Sequence, residues 1–367
     1  MRVILAAGGS GGHIFPSVAL AAELEKTGIE KIFFISSKRR LDKNILKNSR
    51  HNCFFLSANP MPLIFNPFRL AVFAGKLFID TIVSMYLIAK LRPDVVVGFG
   101  GYSSGAIVAA AKMFSVPVII HEQNLLPGRA NRILSRFADR VAVSFKDSAG
   151  YFARATGKVF YSGNPLRLDI LSGDRAESAR RLGLDPEKTT VLIMGGSQGS
   201  SFLNRIASES ARFIKQQKND EVQFIHLTGN KDYEHVRQFY EKNKIAGKVF
   251  SFLERIDEAY AASDLAVSRA GAAAVFELAF YAKPMILIPY PNPKNNQRFN
   301  AMYFSQVGAA VYKEEHDLSA DDLAGEVMGI LTNESRRDSI SQAAGSLSTP
   351  AAGRILAEEV INLAEKN

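Results

Sequence analysis

The 367-residue sequence has no tryptophan and one cysteine, Cys53. A single thiol cannot close an intramolecular disulfide, so a disulfide-framed secreted fold is excluded and a reducing compartment is favoured. Zinc sites built from paired cysteines are excluded with it. The five apolar residues after Met1 and Arg2 are too few for the apolar region of an export signal, so no export is expected. The charge-free window 95–111 holds four glycines and two serines, and reads as strand, loop and helix rather than as a membrane span of about 20 apolar residues. Several chemistries lack their residues altogether. There is no Asp-x-Asp triplet for a metal-bound diphosphate, no G-x-x-x-x-G-K-[ST] loop, no G-x-S-x-G elbow, no H-E-x-x-H and no EF-hand loop.

What remains is an ordinary globular composition, 47% hydrophobic and 22% charged, long enough for two domains. The net charge of +9 is unevenly spread: residues 1–163 carry 21 Lys and Arg against 9 Asp and Glu, and residues 164–367 carry 24 against 27. The first part therefore suits an anionic partner, whether nucleic acid, anionic lipid or a phosphorylated substrate.

Short apolar runs alternate with helical patterns along the whole chain. The runs fall at 2–6, 31–36, 53–56, 94–99, 116–121, 140–144 and 159–162, then at 190–194, 222–227, 249–252, 264–268, 285–289 and 309–312. Continuous apolar strands separated by helices imply parallel sheets covered on both faces. Two series imply two doubly wound α/β domains, 1–163 and 164–367, divided at the turn-forming Gly163-Asn164-Pro165. A helix at about 352–364, after Pro350, is a candidate to return to the first domain.

Each series opens with a strand, a glycine loop and a helix: Gly8-Gly9-Ser10-Gly11-Gly12 and Gly195-Gly196-Ser197-Gln198-Gly199. Such a junction binds anions through free N–H groups and the helix dipole. Neither loop matches the dinucleotide fingerprint; counted from Gly9, Ile14 stands where its third glycine belongs. His13 lies where the positive end of a helix favours neutral imidazole, the form a general base requires. His121-Glu122-Gln123-Asn124 and Gly100-Gly101-Tyr102-Ser103-Ser104-Gly105 end two further strands, where open α/β sheets bind ligands, and their polarity suits a sugar. Ser268-Arg269-Ala270-Gly271, the small Ala272, Ala273 and Ala274, and then Glu277 suit a diphosphate with Arg269 as counter-charge and ribose hydroxyls on Glu277. The amides Asn295, Asn296, Gln297 and Asn300 again suit a sugar. Over 68–91, Arg69, Lys76, Asp80 and Lys90 share an arc of roughly 80° on a helical wheel and nearly everything else is apolar. That excess, with the apolar 61–67 before it, reads as an interfacial membrane patch or as a wholly buried helix.

Taken together, GGSGGHIFP at 8–16, VVGFGGYSSG at 96–105, HEQNLLPGRANR at 121–132, SGNPLR at 162–167, GGSQGS at 195–200, SRAGAAAVFELA at 268–279 and NNQRFNA at 295–301 resemble the MurG family, end to end. The resemblance implies a GT-B glycosyltransferase, two Rossmann-like doubly wound domains facing across a cleft. It implies inverting transfer of GlcNAc from UDP-GlcNAc to the C4 hydroxyl of MurNAc in undecaprenyl-pyrophosphoryl-MurNAc-pentapeptide (lipid I), giving lipid II, with no cofactor and no metal. By position it assigns UDP-GlcNAc to Ser10, Gly11, Gly12, Asn124, Arg167, Ser197, Leu253, Ala272, Ala273, Ala274, Val275, Phe276, Glu277 and Gln297. Tyr102 falls on the acceptor side, His13 is the candidate base and Glu122 the secondary candidate. Ser10, Leu253, Ala273-Ala274 and Asn296 depart from the family's usual threonine, isoleucine, Leu-Thr and histidine. Partners implied are an anionic membrane surface, at the cytoplasmic face of the bacterial inner membrane, and other cell-wall synthesis proteins, with no nucleic acid. Rival readings are a related diacylglycerol-glycolipid synthase, a UDP-GlcNAc epimerase-like enzyme, and an idle scaffold for wall synthesis.

Overall fold

Among the described residues, the first strand series forms β1 (Arg2–Ala6), β2 (Lys31–Ser37), β3 (Asn52–Leu56), β4 (Val95–Gly98), β5 (Val118–Glu122), β6 (Arg140–Val143) and β7 (Val159–Tyr161). The second forms β8 (Thr189–Met194), β9 (Val222–Leu227), β10 (Gly247–Phe250), β11 (Leu265–Ser268), β12 (Met285–Leu287) and β13 (Val311–Tyr312). The helices between and after them are α1 (Gly11–Lys26), α2 (Arg40–Leu46), α3 (Pro67–Leu91), α4 (Tyr102–Met113), α5 (Arg129–Leu134), α6 (Arg175–Arg181), α7 (Ser201–Gln216), α8 (Tyr233–Lys242), α9 (Ile256–Ala262), α10 (Ala272–Phe280), α11 (Gln297–Gln306), α12 (Ala320–Leu331), α13 (Glu334–Ser346) and α14 (Ala352–Glu365). The computed structural model describes residues 1–47, 49–57, 67–155, 157–167, 173–196, 198–217, 220–292 and 296–366, without the side chains of Pro67, Arg69, Tyr102 and Arg154.

Two compact units result, one of residues 1–167 with 349–367, the other of residues 168–348. The first holds a parallel sheet in the order β3-β2-β1-β4-β5-β6-β7, the second a parallel sheet in the order β10-β9-β8-β11-β12-β13. Burial follows strand position. Central β4 is buried throughout, whereas edge strands β7, β10 and β13 hold no fully buried residue. A parallel sheet covered on both faces asks for apolar residues at every central position, so the central strands lack an alternating pattern.

Successive residues of β1 serve opposite faces. Val3 and Leu5 join Ile14, Leu20 and Leu24 of α1 and Leu356, Ala357 and Val360 of α14. Ile4 and Ala6 join Ile107 and Val108 of α4 and Leu87 and Ile88 of α3. The terminal helix α14 thus completes one face of the first unit. In the second unit, Leu203, Ile206, Ala207, Ala211 and Ile214 line one side of α7 at helical spacing and pack on Val191 and Val267.

The apolar run expected at 249–252 is displaced: the strand starts at Gly247, paired with Phe224, and ends at Phe250. Phe252 follows in the loop, 63% exposed. An apolar run alone does not say which of its residues finds a sheet partner.

Helix α3 reverses the usual arrangement. Asp80 and Ser84 are buried, Asp80 Oδ1 accepting from the Ser57 N–H (2.9 Å) and the Ser84 hydroxyl donating to the Asp80 carbonyl (2.6 Å). Phe68, Phe78, Ile79, Ile82 and Tyr86 face outward, Phe68 being 77% exposed. This overturns the wholly buried alternative. It also parts Asp80 from the rest of its arc, since Asp80 lies on the core side while Lys90 is exposed. Residues 61–66 lie outside the described residues.

Candidate functional site

The two sheets each have one place where neighbouring strands send their connections to opposite sides: β1 beside β4, and β8 beside β11. The crevice at the carboxyl ends of such a pair is where ligands bind in open α/β sheets. Both glycine loops open at these points.

In the first unit the loop from β1 to α1 and the loop from β4 to α4 nearly touch. A Cβ on Gly101, whose φ is +78°, would stand 2.5 Å from the Gly8 carbonyl oxygen, so only glycine fits. Asp42 of α2, distant in sequence, holds the first loop: its Oδ2 accepts from the Gly9 N–H (2.8 Å), the Ser37 N–H (3.2 Å) and the hydroxyls of Ser36 (3.1 Å) and Ser37 (2.5 Å). Ser10 precedes α1 in extended conformation and its side chain makes no capping bond, while Gly11 and Gly12 supply the first turn. Arg167 lies beside this turn, its guanidinium carbon 4.4 Å from the centre of the Phe15 ring. Tyr102 opens α4; its side chain is outside the described residues.

His13 stands in the first turn of α1 against Gly100, where a Cβ would come within 3.2 Å of its Cε1 and within 3.3 Å of Asn131 Nδ2. Its Nδ1 lies 2.9 Å from Gln123 Oε1. The structure revises the reading of 121–124 as a row of sugar-facing polar groups. His121, Glu122 and Gln123 are all buried, and Asn124 is half-buried. Glu122 spends its carboxylate on its own loop, Oε1 accepting from the Asn124 N–H (2.9 Å) and Nδ2 (3.2 Å), and Oε2 from the Gly128 N–H (3.0 Å) and Asn131 Nδ2 (2.9 Å). Four donors make Glu122 a clamp for the turn after β5. His121 is pushed down to about 4 by burial, with the Gly163 carbonyl opposing and His13 adding, so it is neutral at ordinary pH.

In the second unit Ser200 caps α7, its hydroxyl oxygen accepting from the Leu203 N–H (3.3 Å). Gly199, φ +75°, crosses the Thr228 carbonyl too closely for any side chain. Ser197 lies outside the described residues. Arg269 departs from the expected counter-charge role: it is buried and already committed, donating to the carbonyls of Ile288 (3.1 Å) and Pro289 (3.0 Å) and to the Ser200 hydroxyl (2.6 Å), with Glu315 2.7 Å away. It ties the glycine loop to the end of β12. Asn300, read as a sugar donor, is instead buried and donates to the Ala270 carbonyl (3.1 Å).

Ala272, Ala273 and Ala274 form the first turn of α10, with Ala272, Val275, Phe276 and Glu277 buried. Glu277 Oε2 accepts from the hydroxyl of buried Tyr260 (2.6 Å), a partner that only the fold reveals. Gln297 starts α11, its Oε1 accepting from the Tyr290 N–H (3.1 Å) and its Nε2 3.9 Å from the Cβ position of Gly271, just before α10. Leu253 is half-buried between β10 and α9, two strands from the β8–β11 crevice. Asp42 and Tyr260 are thus positioning residues that the sequence patterns left unmarked, and Gln123, read there as part of a sugar-facing row, is another. Among the described residues no group of three or more His, Cys, Asp or Glu side chains is placed to hold a metal ion.

Two doubly wound units, each with a glycine loop at its switch point, define a GT-B glycosyltransferase fold. The description "Glycosyltransferase family 28 N-terminal domain" matches residues 3–143 and "Glycosyltransferase family 28 C-terminal domain" matches 190–353. The chain belongs to glycosyltransferase family 28, and within it to the MurG family. The UDP-N-acetylglucosamine--N-acetylmuramyl-(pentapeptide) pyrophosphoryl-undecaprenol N-acetylglucosamine transferase of Desulfotalea psychrophila is 37% identical, over 97% of this chain and 95% of that protein. The protein of the same name from Halothermothrix orenii is 34% identical over 100% and 98%. The crystal structure of Acinetobacter baumannii MurG matches with a TM-score of 0.75 at 23% identity, covering 99% of this chain and 100% of that one. A UDP-GlcNAc 2-epimerase from Neisseria meningitidis, bound to UDP-GlcNAc, matches at 0.67 and 14%, covering 99% and 100%. At such identities these structures speak to fold alone.

The second glycine loop is braced by a buried histidine, which yields a pH prediction. His226 Nε2 faces Asn204 Oδ1 (3.2 Å) and Nδ1 faces the Tyr240 hydroxyl (3.1 Å), while Asn204 Nδ2 donates to the Thr228 carbonyl that Gly199 crosses (2.9 Å). Burial pushes His226 down to about 3. Below about pH 6.5 the unfolded chain takes up a proton at this residue and the native one does not. Stability is therefore complete above pH 6.5 and falls by about 1.4 kcal/mol per pH unit on acidification towards the folded value. Urea unfolding of the second unit at pH 7 and pH 5 should show this loss, and His226→Gln should shallow the slope by about that amount.

Proposed function

We propose that this chain transfers GlcNAc from UDP-GlcNAc to the C4 hydroxyl of MurNAc in lipid I, with inversion, forming lipid II. The observation that carries this reading is near-full-length identity of 34–37% to relatives so named, in both family 28 domains. Structures named as UDP-GlcNAc 2-epimerases share the fold at 14% identity, so the fold does not separate the two activities; the sequence relatives do.

In the reaction the C4 oxygen forms a bond to C1 of GlcNAc as the bond from C1 to the diphosphate oxygen breaks. The bonding pair leaves with UDP, and the C4 hydroxyl proton must go to a base. His13 takes that part, because its imidazole stands beside Gly100 at the β1–β4 switch point, whereas the Glu122 carboxylate is occupied by four donors from its own loop. On the first unit, Ser10, Gly11, Gly12, Asn124 and Arg167 belong to the donor set and Tyr102 to the acceptor side. On the second, the uncapped first turn of α10, from Ala272 to Ala274, offers N–H groups and the positive helix end to the diphosphate. Val275 and Phe276 carry that turn, Glu277 accepts from ribose hydroxyls with Tyr260 orienting it, and Gln297, Leu253 and Ser197 complete the donor set. Transfer of radiolabelled GlcNAc to short-chain lipid I tests the whole reading.

In that assay His13→Ala should lower turnover by about 10²–10⁴-fold while leaving UDP-GlcNAc affinity nearly unchanged. Wild-type turnover would remove His13 as the base.

Calorimetry with UDP-GlcNAc should find Glu277→Ala weaker by roughly 1–3 kcal/mol, the cost of losing a buried hydrogen bond. An unchanged dissociation constant would take the ribose away from Glu277.

The lipid tail of this acceptor lies in a bilayer, so the enzyme works at the membrane surface. The outward Phe68, Phe78, Ile79, Ile82 and Tyr86 of α3 support docking through that helix at the cytoplasmic face of the inner membrane, where Lys76, Lys90 and neighbouring basic residues meet anionic headgroups. Of the apolar residues on the helix, Leu77 is exposed, while Phe73 and Met85 are half-buried and contribute less. Vesicle sedimentation should show binding that grows with anionic lipid, at roughly 1 kcal/mol per basic residue near the surface, and that weakens without vanishing in high salt. Equal binding to neutral and anionic vesicles would refute this docking. Other wall-synthesis proteins remain further partners of this reading.

A further inference from the structure

A histidine acts as a base only through a ring nitrogen that carries a lone pair, and which nitrogen that is depends on what the other one touches. In this chain the question is decided by two main-chain carbonyls, which accept hydrogen bonds and never donate them.

The first is the carbonyl of His121. It lies 3.0 Å from one end of the Gln123 amide, and that end must therefore be the NH2 group. The same NH2 faces His121 Nδ1 at 3.0 Å. The other end of the amide is then the oxygen, which accepts only, and it faces His13 Nδ1 at 2.9 Å. His13 must place a proton on Nδ1.

The second carbonyl is that of Gly163. It lies 3.1 Å from His121 Nε2, so this nitrogen carries the proton and donates. Burial holds His121 neutral, hence its Nδ1 bears a lone pair and accepts from Gln123. Both ends of the chain agree. Gly163 carbonyl, His121, Gln123 and His13 form one directional series in which every contact has one donor and one acceptor. A reversed amide would set two acceptor oxygens 3.0 Å apart at one end, while at the other its NH2 would donate to His13 Nδ1, which would then have to accept.

We propose that Gln123, oriented by His121, is the positioning residue that holds His13 as its Nδ1–H tautomer and so leaves Nε2 as the atom that takes the acceptor proton. This inference rests on the reading of His13 as the base. Gln123 touches neither sugar nor diphosphate in this account; it acts through His13. The free side chain prefers the opposite tautomer, so without Gln123 the lone pair moves to the ring nitrogen that faces the protein. A wrong tautomer of a catalytic histidine costs up to about 10⁴-fold in turnover.

The test is long-range ¹H–¹⁵N correlation spectroscopy of the full chain labelled with ¹⁵N-histidine, at a pH where imidazole is neutral. The chain has six histidines, and His13 is assigned by the signals lost in His13→Ala. In the unmodified protein His13 should show a protonated Nδ1 and an unprotonated Nε2, and His121 the reverse pattern. Gln123→Met, which preserves bulk without the amide, should shift His13 towards the Nε2–H form. It should lower kcat by between about tenfold and 10⁴-fold and leave the KM for UDP-GlcNAc within about twofold. An Nε2–H pattern for His13 in the unmodified protein overturns the proposal, and that measurement needs no variant to fold. So does a Gln123→Met protein with unchanged His13 signals, or with unchanged kcat. Failure of the underlying reading looks different: His13→Ala would then turn over normally, whatever the spectra show of the tautomer.

Discussion

When two adjacent parallel strands send their connections to opposite faces of a sheet, a gap opens at their carboxyl ends, and no side chain of the sheet itself can fill it. The described candidate groups of this chain gather largely around two such gaps. Backbone comes close where loops leave neighbouring strands side by side, and glycine permits it: Gly8 against Gly101 across the β1–β4 gap in one unit, Gly199 against the Thr228 carbonyl after β9, on the other side of β8, in the second. Glycine removes the obstruction, but it also removes the side chains that would hold a loop in shape. The holding is done from elsewhere, by Asp42 on the first loop and by Arg269 and Ser200 on the second.

This division of labour accounts for where the polar residues went. Buried hydrogen-bonding groups without partners cost about 1–3 kcal/mol each, so a polar motif at the end of a core strand is drawn into internal bonds unless something keeps it open. His121, Glu122 and Gln123 follow that rule, each paired within the first unit. Arg269 and Asn300 follow it in the second. Under the proposed function the groups left to meet substrate are fewer: helix first turns, the His13 imidazole, the Glu277 carboxylate oriented by Tyr260, the Asn124 and Gln297 amides and the Arg167 guanidinium.

Helix α3 breaks the same rule in the opposite sense. Its charged Asp80 and its Ser84 are inside, satisfied by the Ser57 N–H and by the helix's own carbonyl, while phenylalanine and isoleucine are outside. Apolar surface of this kind is unfavourable in water, and the residues that could have been turned inward were not. A lipid acceptor supplies the reason under the proposed function. The basic excess of residues 1–163 then has an address, since anionic headgroups attract it where the apolar face is to be inserted.

The amino-acid sequence by itself determined the element order, the two parallel sheets, the position of both glycine loops and the family. These are properties of local period and composition: a continuous apolar strand, a glycine turn and a helix are each written within about ten to twenty residues. Tertiary structure alone decided which polar residues face inward and which nitrogen of His13 is available. Those outcomes depend on contacts between residues far apart in the chain, 110 positions for His13 and Gln123, 42 for His121 and Gly163, 33 for Gly9 and Asp42. A hydrogen bond is set by distance and direction within a few tenths of an ångström, and no local pattern encodes that across a fold. For the same reason the wheel of α3 identified its apolar excess but not the burial of Asp80, because a helix shows its own faces and never says which one the rest of the protein will cover.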